Sequence, residues 1–492
     1  MNLVDLPSAP SLNCNLVGGE FLPSSTGRTK DIISPYTGAV VSRVVMSSAD
    51  DLEQVVAAAR KAFPQWRDRS LKDRTQIMFR FRELMLRDID SLAHIAASES
   101  GKTVAEAKAG ILKGIEVMEF ALSLQNMDSG GRMEVSRGVW CHYKREPLGI
   151  VAGVVPFNFP AMVPLWMFPI AVTLGNCFIM KPSEKVPSTM SRMAALMLEA
   201  GFPHGVFSVI NGDREIVEAL TDHSDVKAIG FVGSTPAARS VYMRASEHGK
   251  RALCLGGAKN HLIVVPDADE SITVQGVIDS FTGCAGQRCM AASIMVAVGD
   301  VDHLIRKIVA EASARTIGTS MGAIIDAHAH ARICAEIARA KEEGATLLLD
   351  GRGVTPPPGY EGGYWLGPTI IDNAKPQMAC ACHEIFGPVL TIIRVPTLGD
   401  ALQLDALSPY GNATSVFTTS GAVASAVCEQ ATSGMVGVNV GVPVPREPFS
   451  FGGTKDSKFG HGDITGPSSL DFWTNLKKIT TKWNAQSQNW MS

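Results

Sequence analysis

The stretch KAIGFVGSTPAARSVYMRASEHG, from Lys227 to Gly249, has the pattern of a strand followed directly by a helix. Its first residues are mostly apolar and Gly230 and Gly233 flank the predicted end of the strand, while Ser234 and Pro236 suit a helix cap and a first helical turn. A helix that begins just after glycines favours a bound phosphate. The stretch lacks a complete G-x-G-x-x-G motif, so an ordinary strand-to-helix turn is an equally good interpretation.

The same strand-helix unit recurs on both sides of this stretch. Short β-branched or apolar runs predict strands at Ile150–Val155, Cys177–Met180, Val206–Ile210, Lys227–Val232 and His261–Val265. Helix-length segments such as SRMAALMLEAG separate most of them, and a second alternating region extends to about Asn439. This alternation predicts an α/β fold with a doubly wound parallel sheet, whose ligands bind at the carboxyl ends of the strands.

The two ends of the chain differ from this alternating region. Near the start, Ser48–Asp51 resembles a capping box, and helical periodicity follows it, then runs from about Lys72 to Ser98 and from about Val104 to Leu124. The Gly/Pro-rich segment Gly434–Gly462 is predicted to be a long ordered loop. The tail LDFWTNLKKITTKW, residues 470–483, alternates like an edge strand and could pair with another subunit.

Composition limits the class of protein. The chain has 492 residues, which favours two or three domains, and 46% of its residues are hydrophobic. Its 45 basic and 48 acidic residues nearly cancel, so neither nucleic acid nor an anionic membrane is expected as a partner. No stretch reaches the roughly 18 uninterrupted apolar residues of a membrane span.

Cysteine usage and the N-terminus bear on the compartment. The ten cysteines have no repeated spacing, so they do not suggest a disulfide framework. The first residues lack the basic start and apolar run of a secretion signal. A reducing cytosol, and hence a cytoplasmic location, is the prediction.

The stretch SFTGCAGQRCMAAS, from Ser280 to Ser293, contains two cysteines. Neither Cys284 nor Cys289 has a matching Cys/His pair at ligand spacing, the pair around Cys380 stands alone, and no metal site is predicted. No histidine is marked as a base for a cysteine hydrolase. The remaining interpretation is that Cys289 is a reactive thiol. The guanidinium of Arg288 and a nearby helix terminus would favour its ionised form. A buried structural cysteine is the alternative, and Cys284 is assigned to packing on a helix.

Two further motifs follow predicted strands. In PFNFP, Asn158 could polarise a carbonyl oxygen as part of an oxyanion hole, or it is simply a turn asparagine. In FIMKPSEK, the carboxylate of Glu184 could accept hydrogen bonds from ribose hydroxyls with Lys181 assisting, or both residues belong to a solvated loop.

Taken together, the motifs are more specific than any of them alone. PFNFP, MKPSE, GFVGST, LGG, AGQRC and EIFGPV occur in this order, and at these intervals they closely resemble the motifs of the aldehyde dehydrogenase superfamily. The resemblance covers nearly the whole chain, from NLVGGEF to LKKIT. VPFNFPAMVPLWMFP, LGGAKNHLIVVPDAD and GQRCMA resemble the methylmalonate/malonate-semialdehyde dehydrogenase branch, whose members are acylating and depend on coenzyme A.

The resemblance implies roles for individual residues. Cys289 matches the nucleophile and Asn158 the oxyanion-hole amide. NAD is the implied cofactor, with coenzyme A as co-substrate, and a free Glu184 disfavours the 2′-phosphate of NADP. The residues implied to surround the cofactor are Val155, Phe157, Lys181, Glu184, Lys185, Ser234, Gly256, Glu384 and Phe386.

The resemblance also implies the architecture. It predicts an NAD-binding domain of residues 1–126 and 147–257 and a catalytic domain of residues 258–440. A small β oligomerisation arm of residues 127–146 and 470–492 completes the fold. The protein is expected to be a homo-oligomer, a dimer or a tetramer.

Two departures from the family pattern bear on the reaction. Hydrolytic members carry a glutamate immediately before LGG, where this chain has Cys254, and a second candidate base falls at Asn475. Without either carboxylate, water is a poor acyl acceptor and coenzyme A is favoured. The semialdehyde branch offers two arginines to the substrate carboxylate; Arg288 matches one, and Lys113 stands in place of the other, with the charge but without the bidentate fork.

The leading prediction is therefore NAD-dependent oxidation of malonate or methylmalonate semialdehyde through a thioester on Cys289, with transfer to coenzyme A and decarboxylation to acetyl-CoA or propionyl-CoA. A hydrolytic aldehyde dehydrogenase of broader substrate range is the first alternative. A non-catalytic binding or structural protein on the same fold is the second, and the presence of Cys289, Asn158 and Glu384 argues against it.

Overall fold

The computed structural model describes residues 3–6, 10–127 and 130–483, and its first part is mainly helical. Asp51 accepts the N–H of Ser48 at 2.9 Å, as predicted for the start of the first helix. The elements of this part are β1 (Ser11–Asn13), β2 (Asn15–Val17), β3 (Glu20–Leu22), β4 (Thr29–Ile33), β5 (Val40–Val45), α1 (Ala49–Arg67), α2 (Leu71–Arg87), α3 (Ile89–Ser100) and α4 (Val104–Met127).

The helical stretch predicted from about Lys72 to Ser98 consists of two helices, because α2 ends at Arg87 and α3 begins at Ile89, with Asp88 between them. The ψ angle of Asp88 is 12°, outside the helical range, and its carboxylate binds the neighbouring Arg87 and the distant Arg192. No glycine or proline marks this break in the sequence. A contact made in the folded protein therefore stabilises a break that local periodicity does not show.

The middle of the chain forms the alternating region. Every predicted strand up to Val232 is present, with ends shifted by one residue in most cases. The elements are β6 (Gly131–Ser136), β7 (Val139–Pro147), β8 (Ile150–Val154), α5 (Met162–Thr173), β9 (Cys177–Lys181), α6 (Pro187–Glu199), β10 (Phe207–Val209), α7 (Arg214–Asp222), β11 (Val226–Val232), α8 (Thr235–Glu247) and β12 (Arg251–Leu255).

The last part of the chain alternates again before a glycine-rich segment and a final strand. Its elements are β13 (Asn260–Val264), α9 (Glu270–Thr282), β14 (Ala292–Val298), α10 (Asp302–Ser313), α11 (Ala327–Glu342), β15 (Thr346–Leu349), β16 (Thr369–Asp372), α12 (Ala379–Cys382), β17 (Val389–Val395), α13 (Leu398–Leu407), β18 (Tyr410–Gly411), β19 (Ala413–Phe417), α14 (Gly421–Gln430), β20 (Met435–Val438), β21 (Thr454–Lys455), β22 (Lys458–Phe459), α15 (Ser468–Trp473) and β23 (Thr474–Lys482).

An eight-stranded sheet confirms the doubly wound prediction. Its strand order is β22-β12-β11-β8-β9-β10-β2-β3, and the five central strands pair in parallel. From β8 the chain winds outward through β9 and β10, then returns to the other side of β8 with β11 and β12. The strand order therefore reverses between β8 and β11, and the crevice at their carboxyl ends is where such sheets bind ligands.

A second sheet has seven strands in the order β15-β16-β17-β14-β13-β19-β20, parallel except for β15. The segment that carries Cys289 leads into β14 near its middle. The two sheets draw on different parts of the chain, since the first uses residues up to 255 together with β22 and the second uses 260–438. The domain limits given above remain predictions.

The ends of the chain differ in part from what the pattern predicts. The tail is an edge strand, β23, paired with β7 in a three-stranded antiparallel sheet, but Leu470–Trp473 belongs to α15. The predicted loop Gly434–Gly462 begins as strand β20 and contains two strands of two residues each. Among the described residues, no helix is long and apolar enough to cross a membrane.

Helix α5 lies inside the protein on all sides. Every residue from Val163 to Thr173 is buried, because the segment MVPLWMFPIAVT carries no polar face. Trp66 donates its indole N–H to the carbonyl of Val172 at 3.0 Å, and Phe168 packs among Phe81 and Phe178. The rigid core around α5 supports one wall of the site described next.

Candidate active site

A cavity of about 440 Å³ opens where the segments after β8, β11 and β12 face the segment before β14. This is the crevice that the reversal of strand order creates. The cavity wall contains seven of the residues singled out in the sequence, namely Cys289, Asn158, Phe157, Ser234, Gly256, Glu384 and Phe386.

A tight turn brings Cys289 to the cavity. Cys284 and Ala285 have φ angles of +53° and +51°, so the prediction that Cys284 packs on a helix is wrong, although its side chain is buried. Glu106 stabilises this conformation by accepting the backbone N–H of Cys284 at 2.6 Å. At Gly286, φ is +68° and a β-carbon would lie 1.9 Å from the carbonyl oxygen of Gly387, so only glycine fits.

The backbone of Cys289 is anchored from the second sheet. Its carbonyl oxygen accepts hydrogen bonds from the side-chain amides of Asn260 at 2.7 Å and Asn412 at 3.0 Å. Asn260 lies at the start of β13 and Asn412 just before β19. Two neighbouring strands thus fix the height of the thiol above the sheet.

Asn158 faces the same cavity from the other side. Its side chain is buried, and its amide nitrogen donates to the carbonyl of Gln287 at 2.9 Å, two residues before Cys289. The side chain of Gln287 is itself fixed, donating to Ala323 and accepting from the N–H of Ile325. A buried amide that donates to the thiol-bearing segment is positioned to donate to an oxygen bound beside the thiol.

The cavity raises the pKa of the Cys289 thiol to about 12. Burial is the largest cause, and the carboxylate of Glu384 adds to it, whereas the guanidinium of Arg288 acts in the opposite direction. The expectation that Arg288 would favour the thiolate is therefore correct in sign for that residue but wrong for the site as a whole. Desolvation dominates because the thiol lies between both sheets.

Glu384 rests against the loop between β12 and β13. Its carboxylate accepts the backbone N–H of Ala258 at 3.0 Å, and a β-carbon on Gly257 would lie 2.3 Å from its other oxygen. Burial raises the pKa of Glu384, while the hydrogen bond from Ala258 and the charges of Lys259 and Arg332 oppose that rise. Glycine at position 257 is what allows the carboxylate to reach the cavity.

Replacing Glu384 with glutamine should weaken cofactor binding and make the thiol of Cys289 more reactive. If Glu384 holds the ribose of NAD, as the family resemblance implies, loss of its carboxylate should raise the KM for NAD at least about tenfold, because hydrogen bonds to a charged group are lost. Loss of its negative charge should lower the pKa of Cys289 and speed alkylation of the thiol by iodoacetamide about threefold at pH 8. Glu384→Asp keeps the charge and should leave the alkylation rate near that of the wild type. Slower alkylation of Glu384→Gln would contradict this assignment.

Two aromatic rings continue the wall. Phe157 and Phe386 meet edge to face, with ring centroids 5.9 Å apart. Phe386 has a φ of +56°, which side-chain-bearing residues rarely adopt and which is common at ligand sites. The ammonium of Lys185 lies 5.4 Å from the centre of the Phe157 ring and pairs with Asp326 at 2.6 Å.

Lys181 and Glu184 lie at the end of β9, beyond the wall of this cavity. They pair with each other at 3.1 Å, and the carbonyl of Lys181 accepts the N–H of Val155. Burial raises the pKa of Glu184, and the charge of Lys181 lowers it. The net result is a lowered pKa, so the carboxylate is ionised at neutral pH. The pair lies at the end of β9, which is the strand next to β8 in the first sheet.

Ser234 precedes helix α8 and directly follows Gly233, the glycine after strand β11. Its carbonyl accepts the first backbone hydrogen bond of the helix, from Ala238 at 2.8 Å. Thr235 accepts the N–H of Gly257 at 2.8 Å, which draws the glycines after β12 towards the helix N-terminus. The cavity therefore meets a helix N-terminus with positive partial charge, which suits a phosphate.

Sequence reasoning missed a charged residue of the wall. Arg332, on α11, lines the cavity and donates to the carbonyl of Ile385 at 2.8 Å, next to Glu384. Its surrounding sequence, AHAHARICAEIARA, has only the periodicity of a helix and no motif. Its role at the site follows from folding alone.

Comparison with known proteins agrees with this geometry. The model of the aldehyde dehydrogenase family matches residues 21–479. The chain belongs to the aldehyde dehydrogenase family. It is 40% identical over 477 residues to the human mitochondrial acylating methylmalonate-semialdehyde/malonate-semialdehyde dehydrogenase, covering 96% of this chain and 89% of that one. Malonate-semialdehyde dehydrogenase 2 of Geobacillus kaustophilus is also 40% identical, with 95% of this chain and 98% of that protein covered.

Solved structures confirm the aldehyde dehydrogenase fold. The crystal structure of methylmalonate-semialdehyde dehydrogenase from Oceanimonas doudoroffii has a TM-score of 0.95 and 39% identity, covering 97% of this chain and 99% of that one. A protein of Sinorhizobium meliloti 1021, solved in complex with NAD, also has a TM-score of 0.95 at 39% identity, with 98% and 99% covered.

Cys254, the first residue that departs from the pattern of hydrolytic aldehyde dehydrogenases, is buried. Cys254 lies within β12 between Phe231 and Phe459 of the adjacent strands and is not exposed. Burial raises the pKa of its thiol well above the usual range, so it stays protonated and cannot accept a proton from water. Asn475, at the second position, accepts from Arg251 at 2.5 Å.

The second departure from the aldehyde dehydrogenase pattern concerns charge. One Nη of Arg288 donates to the backbone carbonyls of Asp279 and of Ser280, while its buried Nε has no hydrogen-bond partner within the described ranges. Lys113 lies outside the cavity wall and pairs with Glu447 at 2.8 Å and Glu116 at 3.0 Å. Neither of the two predicted substrate contacts is among the residues that line the cavity: Arg288 keeps an unpartnered but buried Nε, and Lys113 is paired with two carboxylates.

Proposed function

We propose that this aldehyde dehydrogenase catalyses the NAD-dependent, coenzyme A-acylating oxidation of malonate or methylmalonate semialdehyde. The observation that carries the proposal is a cavity in which a thiol, a buried amide and a carboxylate converge, together with a buried thiol in place of a hydrolytic carboxylate. The names of its relatives support the same substrates and the same acyl acceptor.

Covalent catalysis follows from Cys289 and Asn158. The sulfur attacks the aldehyde carbon, the thiol proton leaves to solvent, and the former carbonyl oxygen gains negative charge. The amide of Asn158 and the backbone N–H of Cys289 donate to that oxygen and stabilise the tetrahedral thiohemiacetal. NAD, when bound, accepts the hydride of this adduct, which leaves a thioester on Cys289.

The residues of the chain suit NAD. Glu384 offers carboxylate oxygens at the cavity wall, glycines at 233, 256 and 257 leave room beside the N-terminus of α8, and Ser234 begins that helix. Glu184, ionised at neutral pH, suits ribose hydroxyls and disfavours a 2′-phosphate. Phe157, Lys181, Lys185, Val155, Gly256 and Phe386 are proposed to complete the cofactor surface.

Coenzyme A completes the reaction. Its thiol attacks the thioester carbonyl, the acyl group moves to the coenzyme sulfur, and the sulfur of Cys289 leaves and regains a proton. The β-carboxylate is then lost as CO2, which gives acetyl-CoA from malonate semialdehyde or propionyl-CoA from methylmalonate semialdehyde.

The function is tested by measuring NADH formation from a panel of aldehydes with and without coenzyme A, and by identifying the products. Acyl-CoA from a carboxylated semialdehyde is the expected product. Free acid formed at the same rate without coenzyme A would support the hydrolytic alternative, and no NADH burst from any aldehyde would support a non-catalytic protein.

The family resemblance assigns Arg288 to the substrate carboxylate, and its position next to Cys289 in the sequence supports that role. Replacing Arg288 with leucine should raise the KM for malonate semialdehyde about tenfold and should hardly change the KM for propanal, which has no carboxylate. Arg288→Lys keeps the positive charge but loses the bidentate guanidinium, so its KM for malonate semialdehyde should lie between those of the wild type and Arg288→Leu. An equal change for both aldehydes would remove Arg288 from substrate recognition.

A homo-oligomer in the cytoplasm is part of the proposal. Met133, Val135, Tyr143 and Leu476 expose apolar side chains on the sheet of β6, β7 and β23, which supports that sheet as an oligomerisation arm. All ten cysteines are free thiols, which fits a reducing compartment.

A further inference from the structure

The turn before Cys289 has a left-handed backbone at consecutive residues. The φ angles are +53° at Cys284, +51° at Ala285 and +68° at Gly286. Glycine adopts this conformation without penalty, whereas the β-carbons of Cys284 and Ala285 crowd the following carbonyl oxygen. A strained backbone of this kind persists only where surrounding groups hold it. The turn therefore needs support from outside at its two non-glycine residues.

A carboxylate from the helical first part of the chain supplies that support. Glu106, in the first turn of α4, accepts the backbone N–H of Cys284 at 2.6 Å through Oε1. A hydrogen bond to an ionised acceptor is stronger than one between neutral groups. If the carboxylate were removed, the buried N–H would lose this partner, and a conformation that exposes it to another acceptor would be favoured.

Glu106 is itself fixed by the helix that it caps. Its Oε2 accepts the N–H and the hydroxyl of Thr103, each at 3.0 Å, and its own N–H donates to that hydroxyl at 3.2 Å. A second connection joins the loop before α4 to the segment of the thiol. Ala323 donates its N–H to Gly101 at 2.7 Å and accepts the side-chain amide of Gln287 at 3.1 Å. The carboxylate is thus a rigid support for the turn.

The turn determines where the thiol lies relative to the oxyanion-hole amide. Gln287, directly after the turn, donates its N–H to the carbonyl of Cys284 at 3.0 Å and accepts the amide of Asn158 at 2.9 Å. The carbonyl of Cys289 is fixed separately, by the amides that reach it from the second sheet. A change at Cys284 must therefore be absorbed by the residues between these two points, which contact Asn158 and lead to the thiol.

We propose that Glu106 is a positioning residue for the nucleophile, which holds the left-handed turn that places Cys289 beside Asn158. The inference rests on the proposed function for the catalytic role of Cys289. It has a specific consequence: glycine at position 285 should compensate for the loss of Glu106, because a glycine stays left-handed without being held.

The test follows the NADH burst from malonate semialdehyde in stopped flow for Glu106→Ala, Ala285→Gly and Glu106→Ala/Ala285→Gly. Without the carboxylate the turn relaxes and the thiol is displaced, so the burst rate constant should fall about 30-fold. Glycine removes one of the two non-glycine penalties, so the double variant should regain about tenfold. Ala285→Gly alone should stay within about twofold of the wild type. Glu106→Gln keeps an acceptor oxygen without the charge and should lose only about threefold.

Thr103→Ala is the matched control, because it removes the hydroxyl cap of α4 and leaves Oε1 of Glu106 bound to Cys284. Its burst rate constant should change by less than about threefold. Glu106 also acts on the buried ammonium of Lys102. A loss of activity caused through Lys102 would not be restored by glycine at position 285, so the double variant separates the two causes.

Hydrogen exchange of the peptide that covers residues 280–293 reports on the turn without any substrate. Its slow amides should exchange about tenfold faster in Glu106→Ala and return towards the wild-type rate in the double variant. If Glu106→Ala does not fold, Glu106→Gln with and without Ala285→Gly gives the same comparison, with a gain of up to about threefold expected from glycine.

Several results would overturn the proposal. They are an unchanged burst in Glu106→Ala, an equal loss in Thr103→Ala, or a double variant that is no faster than Glu106→Ala. A wild-type protein without an NADH burst would instead refute the proposed function. In that case hydrogen exchange would still decide whether Glu106 holds the turn.

Discussion

Cys289→Ala should lose at least about 10⁴-fold in kcat for every aldehyde, because the covalent adduct can no longer form and the amide of Asn158 alone has no thiohemiacetal to stabilise. The thiol faces the cavity at the end of a turn that Gly286 makes possible. Stopped-flow measurement of NADH should show no burst, and mass spectrometry after quenching should show no acyl group on the protein.

Cys284→Ala is the control for this result. Cys284 lies in the same turn, and its side chain is buried, so the variant should retain the burst and the acyl adduct. The pH dependence gives an independent check. Since burial raises the pKa of Cys289 to about 12, alkylation of the wild-type protein should become about tenfold faster per pH unit between pH 7 and pH 9. A plateau in that range, or a burst that survives in Cys289→Ala, would show that another group is the nucleophile.

Omission of coenzyme A should lower steady-state turnover about 100-fold, after a burst of one NADH per active site. The reason is the absence of a base for water at both expected positions. Cys254 is buried and protonated within β12, and Asn475 is an amide bound to Arg251. Steady-state NADH formation with malonate semialdehyde, with and without coenzyme A, measures the effect.

Cys254→Ala tests whether the buried thiol has any part in this result. It should leave both the burst and the dependence on coenzyme A unchanged, since a protonated thiol inside the sheet offers neither a base nor a nucleophile. Turnover without coenzyme A that equals turnover with it would contradict the acylating assignment. Free acid produced by the wild type but not by Cys254→Ala would instead identify Cys254 as the unrecognised base.

Much of the fold and the centre of the site could be predicted from the sequence. The alternation of strands and helices from Ile150 onward is a local pattern of burial, and a repeated local pattern survives folding because each element buries its own apolar face. Cys289, Asn158 and Glu384, which the sequence motifs single out, line one cavity, and their roles remain proposals. Their motifs are short, and each lies at the end of a strand or in a turn whose position the alternation determines.

Only the tertiary structure decided the pKa of the reactive thiol and the residues with which the charged side chains pair. The sequence places Arg288 next to the thiol, yet burial between two sheets outweighs that neighbour and raises the pKa of Cys289. The sequence shows that Lys113 lies in a helix, but not that the carboxylate of Glu447 pairs with it. The sequence also gives no sign that Arg332 lines the cavity or that the helical stretch breaks at Asp88. Desolvation and ion pairing depend on residues that are distant in the chain and adjacent in space. The local sequence pattern therefore determines which helices and strands form and where reactive groups lie along the chain. Packing determines the charge state of these groups and the residues with which they pair.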